Sequence, residues 1–566
     1  MPPLSYAGIC FILFINERKF DWTGSDGKVN LMDIVIKNGL VVDGTGGKAY
    51  RADIGIREGK IAGLAPEMDC AAGTVIDGEG LVVAPGFIDV HSHNDLVPFM
   101  GEEIQKLKLL QGVTTELVGQ CGLGVVPCED GRDGLWKNYI RGVVGDPGME
   151  WRFGSFREYR EAMAAAGLKN NYGALISHGA VKARVMGFES REPTESELED
   201  MTRQVREAME EGAFGMSIGL QYMPAVFSRQ EELVVLCRAV KSHEGIVMVH
   251  VRNHDSSIVN ALKEITAVAG AAGVKLHISH LRSYNSKELG CSAGELLKFV
   301  EAAKEKGLSI TFDEHLYLSG STLMTQLLPP WLTGAGKGGL RERLKDPQVL
   351  KRLKEELADR ELRYPGWDNY SAIAGWDGIL LTSLGKPENL KYIGKTLGGI
   401  AAEEGLDPVD LMARLLVEEQ AGIGIVTLNI FSEEDTIELI KHPQQMTGSD
   451  SIPAGVPHPR LYGNYPLFLG KFVREKKALS LEEAVYKSTL LPAQTLGMKE
   501  IGQLAVNRTA DIILFDYDAI TGYEDYRNPT RKPEGIRHVI LNGKIAVRDG
   551  SVCEGSYGRA LEFKSP

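Results

Sequence analysis

The sequence predicts an α/β fold: a (β/α)8 TIM-like barrel, a small β-sandwich domain formed from both chain ends, and an insertion after barrel strand seven. Three observations carry the prediction. Eight short apolar runs alternate with stretches of helical periodicity. Similar strand–turn–strand patterns stand near the two ends of the chain. About 130 residues separate the seventh run from the eighth, too many for a plain loop.

The terminal patterns delimit the small domain. "MDIVIKNGLVVDG" (32–44) reads as strand, Asn38-Gly39 turn, strand, the strongest short hairpin signal. "DIGIREGKIAGLAP" (53–66) repeats it around Glu58-Gly59. "TADIILFD" (509–516) and "HVILNGKIAVRDG" (538–550) resume it near the other end. One β domain from residues 32–84 and 499–566 is expected, with 85–498 between them as the barrel. Regular patterning begins at Met32, so we take Met32 as the natural start and 1–31 as a non-native or disordered extension. Its run "YAGICFILFI" (6–15) is too short to cross a bilayer and lacks the charged flank and cleavage site of a signal peptide.

The eight runs lie at 81–93, 114–120, 172–179, 214–220, 246–252, 275–281, 309–315 and 444–450. Near-continuous apolar strands imply burial on both faces, as in a parallel sheet. Between them, stretches such as 195–212 and 256–273 repeat apolar residues at three- and four-residue steps. Eight strands alternating with helices is the count for a (β/α)8 barrel. The insertion, 323–440, contains a charged helical stretch at 340–360 and is expected to cover the barrel mouth as a substrate lid.

Composition bounds the partners. The 566 residues are 43% apolar and 25% charged, as in a soluble protein of more than one domain. A net charge of −13, spread along the chain, argues against nucleic acid, and no run is long enough to span a membrane. Seven irregularly spaced cysteines form no disulfide framework, which points to a reducing cytoplasm. The oligomeric state, monomer or small homo-oligomer, is left open.

Chemistry collects where the runs end. The first ends in His91-Ser92-His93, the second is followed by Cys121, the third ends at His178 and the fourth is followed by Gln221-Tyr222. The fifth carries His250, the sixth ends at His280, followed by Arg282, the seventh holds Asp313 and His315, and the eighth ends at Asp450. In a barrel these ends converge on one face, where active sites are built. Residues two apart on a strand point the same way, so His91 and His93 both face the axis with Ser92 outward. Imidazole, thiolate and carboxylate are the ligands that zinc takes. A lone buried His is more often a hydrogen-bonded core residue, but His91 and His93 together with His250, His280 and Asp450 favour a metal. For His178 the structural role leads, and His243, His254, His277, His442 and His538 are assigned structural or surface roles.

At these residues the sequence resembles the metal-dependent amidohydrolase superfamily and, within it, the N-acyl-D-amino-acid deacylase (D-aminoacylase) family. "PGFIDVHSHND" (85–95), "TTELVGQCG" (114–122), "GAFGMSIGLQYMP" (212–224), "HVRNHD" (250–255), "ISHLR" (278–282), "SGST" (319–322), "GSDS" (448–451) and "HPRLYGNYP" (458–466) fall in that family's order. The likeness spans about 32–555. It implies zinc-dependent hydrolysis of the amide bond of N-acyl-D-amino acids, releasing a carboxylate and a free D-amino acid. Cys121, His250 and His280 would hold one tightly bound zinc. His91, His93 and Asp450 would form a second, weaker metal position, Asp450 doubling as general base and acid. Arg460 would clamp the substrate carboxylate through a two-pronged hydrogen bond, and Tyr222, Arg282, Ser321 and His315 fall at substrate positions. Two departures stand out. Arg282 replaces the family's Lys, and Asp313-Glu314-His315-Leu316-Tyr317 replaces Asp-x-Tyr-Pro-Tyr, which leaves a cyclic-amide hydrolase of the hydantoinase or dihydroorotase kind as the competing activity. A non-enzymatic scaffold would have lost a ligand or Asp450, and none is missing.

Overall fold

A computed structural model describes residues 31–128, 134–288, 290–334 and 339–564. The expectation for the extension and its apolar run lies outside the described residues. Eight parallel segments recur in the expected order: β1 (Phe87–Asp89), β2 (Val113–Val118), β3 (Asn171–Ala174 continued by Ile176–Ser177), β4 (Gly215–Gly219), β5 (Ile246–His250), β6 (Lys275–Ile278), β7 (Ile310–Glu314) and β8 (Gln445–Thr447). Nearly all their residues are buried, which is why the runs are apolar without alternation. The break in β3 divides the pairing: its first half joins β2 and its second half joins β4. Past the strand ends, the Asp450 amide donates to the His91 carbonyl (2.8 Å) and the His93 amide to that of Ser451 (2.9 Å). The pairing order thus returns from β8 to β1.

Helices follow the periodic stretches. Glu195–Glu210 starts at a reciprocal cap between Thr194 and Glu197 and buries Met201, Val205, Ala208 and Met209. Ile258–Ala272 ends at Gly273, whose φ of 69° is left-handed, a conformation glycine takes without cost. No helix among the described residues is long and apolar enough to cross a membrane.

Strands from both ends share one nine-stranded sheet. The halves meet where Val82–Pro85 runs antiparallel to Ile512–Phe515. Asn542-Gly543 makes the expected tight turn, with φ of 50° and 77°. Asn38-Gly39 does not: Met32–Val41 is one continuous strand with a bulge there. Leu40 and Val41 keep pairing on both sides, and a side chain on Gly39 would meet Val83 at 2.4 Å. The dipeptide permits a close approach inside a strand rather than a reversal.

The segment between β7 and β8 has its own core, in which Leu353, Trp367, Leu397 and Leu411 pack with Ile379, Leu381 and Ile425 of the antiparallel strands Ile379–Ser383 and Gly424–Thr427; Gly320–Leu323 pairs with the second of these.

His178 belongs to a buried structural cluster. Its Nε2 lies 3.0 Å from Glu232, which also takes hydrogen bonds from Lys182 at 2.6 and 2.9 Å and from Ser228 at 2.8 Å. Burial raises the Glu232 carboxyl, but His178 and Lys182 outweigh it and bring it down to about 2. A depressed folded pKa stabilises above the unfolded value, here about 4.5, and the contribution is lost as pH falls toward about 2. Glu232→Gln is expected to cost about 3–5 kcal/mol near neutrality, because Lys182 is left buried beside a neutral amide. Urea midpoints of the two proteins should converge as pH falls below about 4; an offset independent of pH contradicts this account.

Candidate active site

The parallel strands deliver their C-terminal residues to one end. His91 and His93 follow β1, and both turn Nε2 toward Asp450 Oδ1, at 3.5 and 3.3 Å. Ser92 points away and donates to Glu116 (2.8 Å). Cys121 follows β2 on a tight loop: a side chain on Gly219 would meet the Cys121 carbonyl at 1.9 Å, so the loop needs glycine to lie against β4. Cys121, His280 and Asp450 all have left-handed φ, of 53°, 33° and 48°. Non-glycine residues in that region are strained, and such strain gathers at functional sites.

The donor atoms converge. Cys121 Sγ lies 3.2 Å from His91 Nε2 and 3.6 Å from His280 Nε2, and His250 Nδ1 lies 2.9 Å from His280 Nε2. Three overlapping sets could each hold an ion: His91, His93 and Cys121; Cys121, His250 and His280; and His91, His280 and Asp450. Tetrahedral zinc with N and S ligands sets donors about 3.3–3.6 Å apart, close to these separations. Burial pushes the Cys121 thiol up to about 11, and His91 offsets this only in part. A cation among the donors would convert that thiol to thiolate, so the residues present fit zinc.

A second layer orients the imidazoles. Asp313, on β7, receives His91 Nδ1 (3.0 Å), His277 Nε2 (2.8 Å) and the His280 amide (2.9 Å). Burial raises Asp313, but His91 and His277 hold it far below the carboxylate range. His277 is thus structural, as expected, but in support of the site. His250 Nε2 meets Gln221 Oε1 at 2.8 Å, and the Gln221 amide donates in turn to Asp368 of the inserted segment. This fixes the tautomer that leaves His250 Nδ1 facing the other donors.

One pocket collects His93, Cys121, Tyr222, His250, His280, Arg282, His315, Ser321, Asp450 and Arg460; His91 lies beneath, against Cys121. Tyr222 shares a hydrogen bond with Thr322 (2.9 Å), Ser321 donates to the Ile425 carbonyl (3.0 Å), and His315 packs edge-on to Phe431. Arg460 is fully buried. Its Nη2 is 3.0 Å from Asp450 Oδ2 without hydrogen-bond geometry, and none of its three guanidinium nitrogens has a hydrogen-bond partner. Burial raises Asp450, but Arg460 and His91 hold it well below the carboxylate range. His458 accepts from the Arg460 amide at Nδ1 (3.1 Å) and meets the Ser319 carbonyl at Nε2 (3.0 Å), which anchors the turn.

His254 corrects the expectation of a structural or surface role. It is buried in the pocket wall, its ring centroid 4.7 Å from that of His250 and 5.3 Å from that of His280, and both its nitrogens lack partners. It sits four residues beyond β5 on an irregular segment, where strand alternation gives no direction.

Comparison with known proteins decides the family. Residues 74–317 and 391–547 match the Amidohydrolase family. The chain is 30% identical over 530 residues to a D-aminoacylase of Alcaligenes xylosoxydans xylosoxydans, covering 94% of this chain and 97% of the relative. It belongs to the amidohydrolase family, in its D-aminoacylase branch. As an amidohydrolase it has a second relative in the same organism, an N-acyl-D-glutamate deacylase 31% identical over 516 residues (90% and 93% covered). A third, an N-acyl-D-aspartate deacylase, is 29% identical over 523 residues, with 92% of each chain covered. Identity therefore does not separate these three activities.

The structure of N-acyl-D-glutamate deacylase from Bordetella bronchiseptica, complexed with zinc and a phosphonate inhibitor, superposes with a TM-score of 0.79 at 28% identity, covering 94% and 99%. A D-hydantoinase structure reaches 0.53 at 16% identity, covering 94% and 99%, a likeness of fold alone.

Proposed function

We propose that this amidohydrolase is a zinc-dependent deacylase of N-acyl-D-amino acids. The observation that carries the reading is Arg460: a fully buried guanidinium with open donors, beside Asp450 and in the same pocket as Cys121, His250 and His280. Such a group suits a carboxylate held two-pronged. Cys121, His250 and His280 would hold the tight ion, with His91, His93 and Asp450 as the weaker position. Zinc bound there supplies a Lewis acid that activates water and polarises an amide carbonyl. Asp450, kept ionised by Arg460 and His91, accepts a proton at Oδ1, beside His93, and returns it to the departing nitrogen. Arg460 anchors the substrate carboxylate so that the scissile bond lies over that carboxylate oxygen.

The same reading gives the architecture. The returning order of parallel strands is a (β/α)8 barrel spanning 85–498, the sheet of both ends is a small β domain from 32–84 and 499–566, and 323–440 forms the lid over the pocket. The partner is a small N-acylated amino acid, not nucleic acid or membrane. The odd number and irregular spacing of the seven cysteines suit a reducing cytoplasm.

A panel of N-acetyl-D- and N-acetyl-L-amino acids, hydantoin and dihydroorotate tests the activity. The D-series should be hydrolysed at least about 100-fold faster than the L-series, a difference of about 3 kcal/mol in transition-state binding, with no turnover of the cyclic amides. Faster opening of hydantoin would replace the linear-amide reading with the cyclic one.

A further inference from the structure

We propose that the pocket takes an N-acyl-D-amino acid with a neutral side chain, and that Glu314 sets this limit by occupying Arg282. The proposal rests on the deacylase reading and narrows it to a substrate with one anion, the α-carboxylate.

Two guanidiniums line the pocket, and they are in opposite states. Arg282 is committed. Its Nε donates to Glu314, its Nη1 to the Tyr317 carbonyl (2.9 Å) and its Nη2 to the His315 carbonyl (2.5 Å). Its plane lies over the Phe431 ring at 4.3 Å. Glu314, fully buried at the end of β7, takes the hydrogen bond of Nε, so each guanidinium nitrogen of Arg282 is engaged and no fork is free. Arg460 keeps all of its nitrogens open. Among the described residues lining the pocket there is no other Lys or Arg.

One carboxylate can therefore be matched. A second, as on a glutamate or aspartate side chain, would be buried without a partner and beside the negative Asp450, and an unpaired buried charge is strongly disfavoured. Elsewhere the wall offers Leu123, Val143, Ile452 and Phe431, which suit an apolar side chain. Glu314 thus acts through Arg282, as a positioning residue for specificity.

The test compares kcat/KM of the zinc-loaded full chain for N-acetyl-D-leucine and N-acetyl-D-phenylalanine with that for N-acetyl-D-glutamate and N-acetyl-D-aspartate. The neutral substrates should lead by at least about 100-fold, the discrimination expected when a buried charge goes unpaired. Equal or faster hydrolysis of the acidic pair overturns this proposal and leaves the deacylase reading standing. No hydrolysis of any of the four overturns both. Glu314→Ala, which removes the acceptor of Arg282 Nε, should narrow the neutral-to-acidic ratio at least about tenfold, mainly through a lower KM for the acidic substrates. Glu314→Asp should move it the same way by less. A folding defect scales both substrates together and leaves the ratio unmoved, so unchanged ratios in both variants would remove Glu314 from the account.

Discussion

Asp450→Asn is expected to lower kcat by about 10³-fold or more while zinc content stays at the wild-type level. Positioned acid–base groups contribute about 10²–10⁴-fold, and Asp450 is assigned both proton transfers. Asn has the same shape and cannot take up the proton. The tight ion depends on Cys121, His250 and His280, which keep their own supports: Gln221 for His250 and Asp313 for His280. Zinc per chain by elemental analysis, measured beside kcat on N-acetyl-D-leucine, separates the two effects. Activity above about a tenth of wild type at full zinc content would take the proton transfers away from Asp450, since about 10²-fold is the smallest effect expected of such a group.

Cys121→Ala should lose tightly bound zinc altogether. Removal of a partner that merely orients a ligand costs about 10–100-fold in metal affinity, and loss of the only soft donor costs more. Cys121 also belongs to two of the three donor sets, the one with His91 and His93 and the one with His250 and His280, so its removal depletes both. After dialysis against a chelator, the variant should retain no zinc while wild type keeps about one ion per chain, as a closed set of N and S donors does. Full retention would show that the thiol is a buried small hydrophobe, the default for cysteine.

Much of this site is legible in the sequence because parallel strands end on one face. His91, His93, Cys121, His250, His280 and Asp450 each stand at or just past the end of an apolar run, and the strand order brings them together without further information. What is not legible depends on contacts between distant segments. Gln221 and Asp368 are 147 residues apart, and nothing in the inserted segment marks Asp368 as a support for His250. Arg282 keeps the positive charge that its position suggests, but only the fold shows that Glu314 and two carbonyls take up its donors. His254 lies beyond the strand, where side-chain direction follows no period. Asn38-Gly39 carries a strong turn signal, yet Leu40 and Val41 gain more by pairing on to Val82 and Val83 than the chain would by reversing. Local propensity yields there to tertiary pairing.

Anomalous diffraction at the zinc edge, on crystals of the purified protein, bears most directly on the metal site at the centre of this account. The account predicts a strong peak coordinated by Cys121, His250 and His280, with any weaker peak beside His91, His93 and Asp450. A fully occupied peak on other residues, or no peak in protein that hydrolyses N-acetyl-D-leucine, would contradict it.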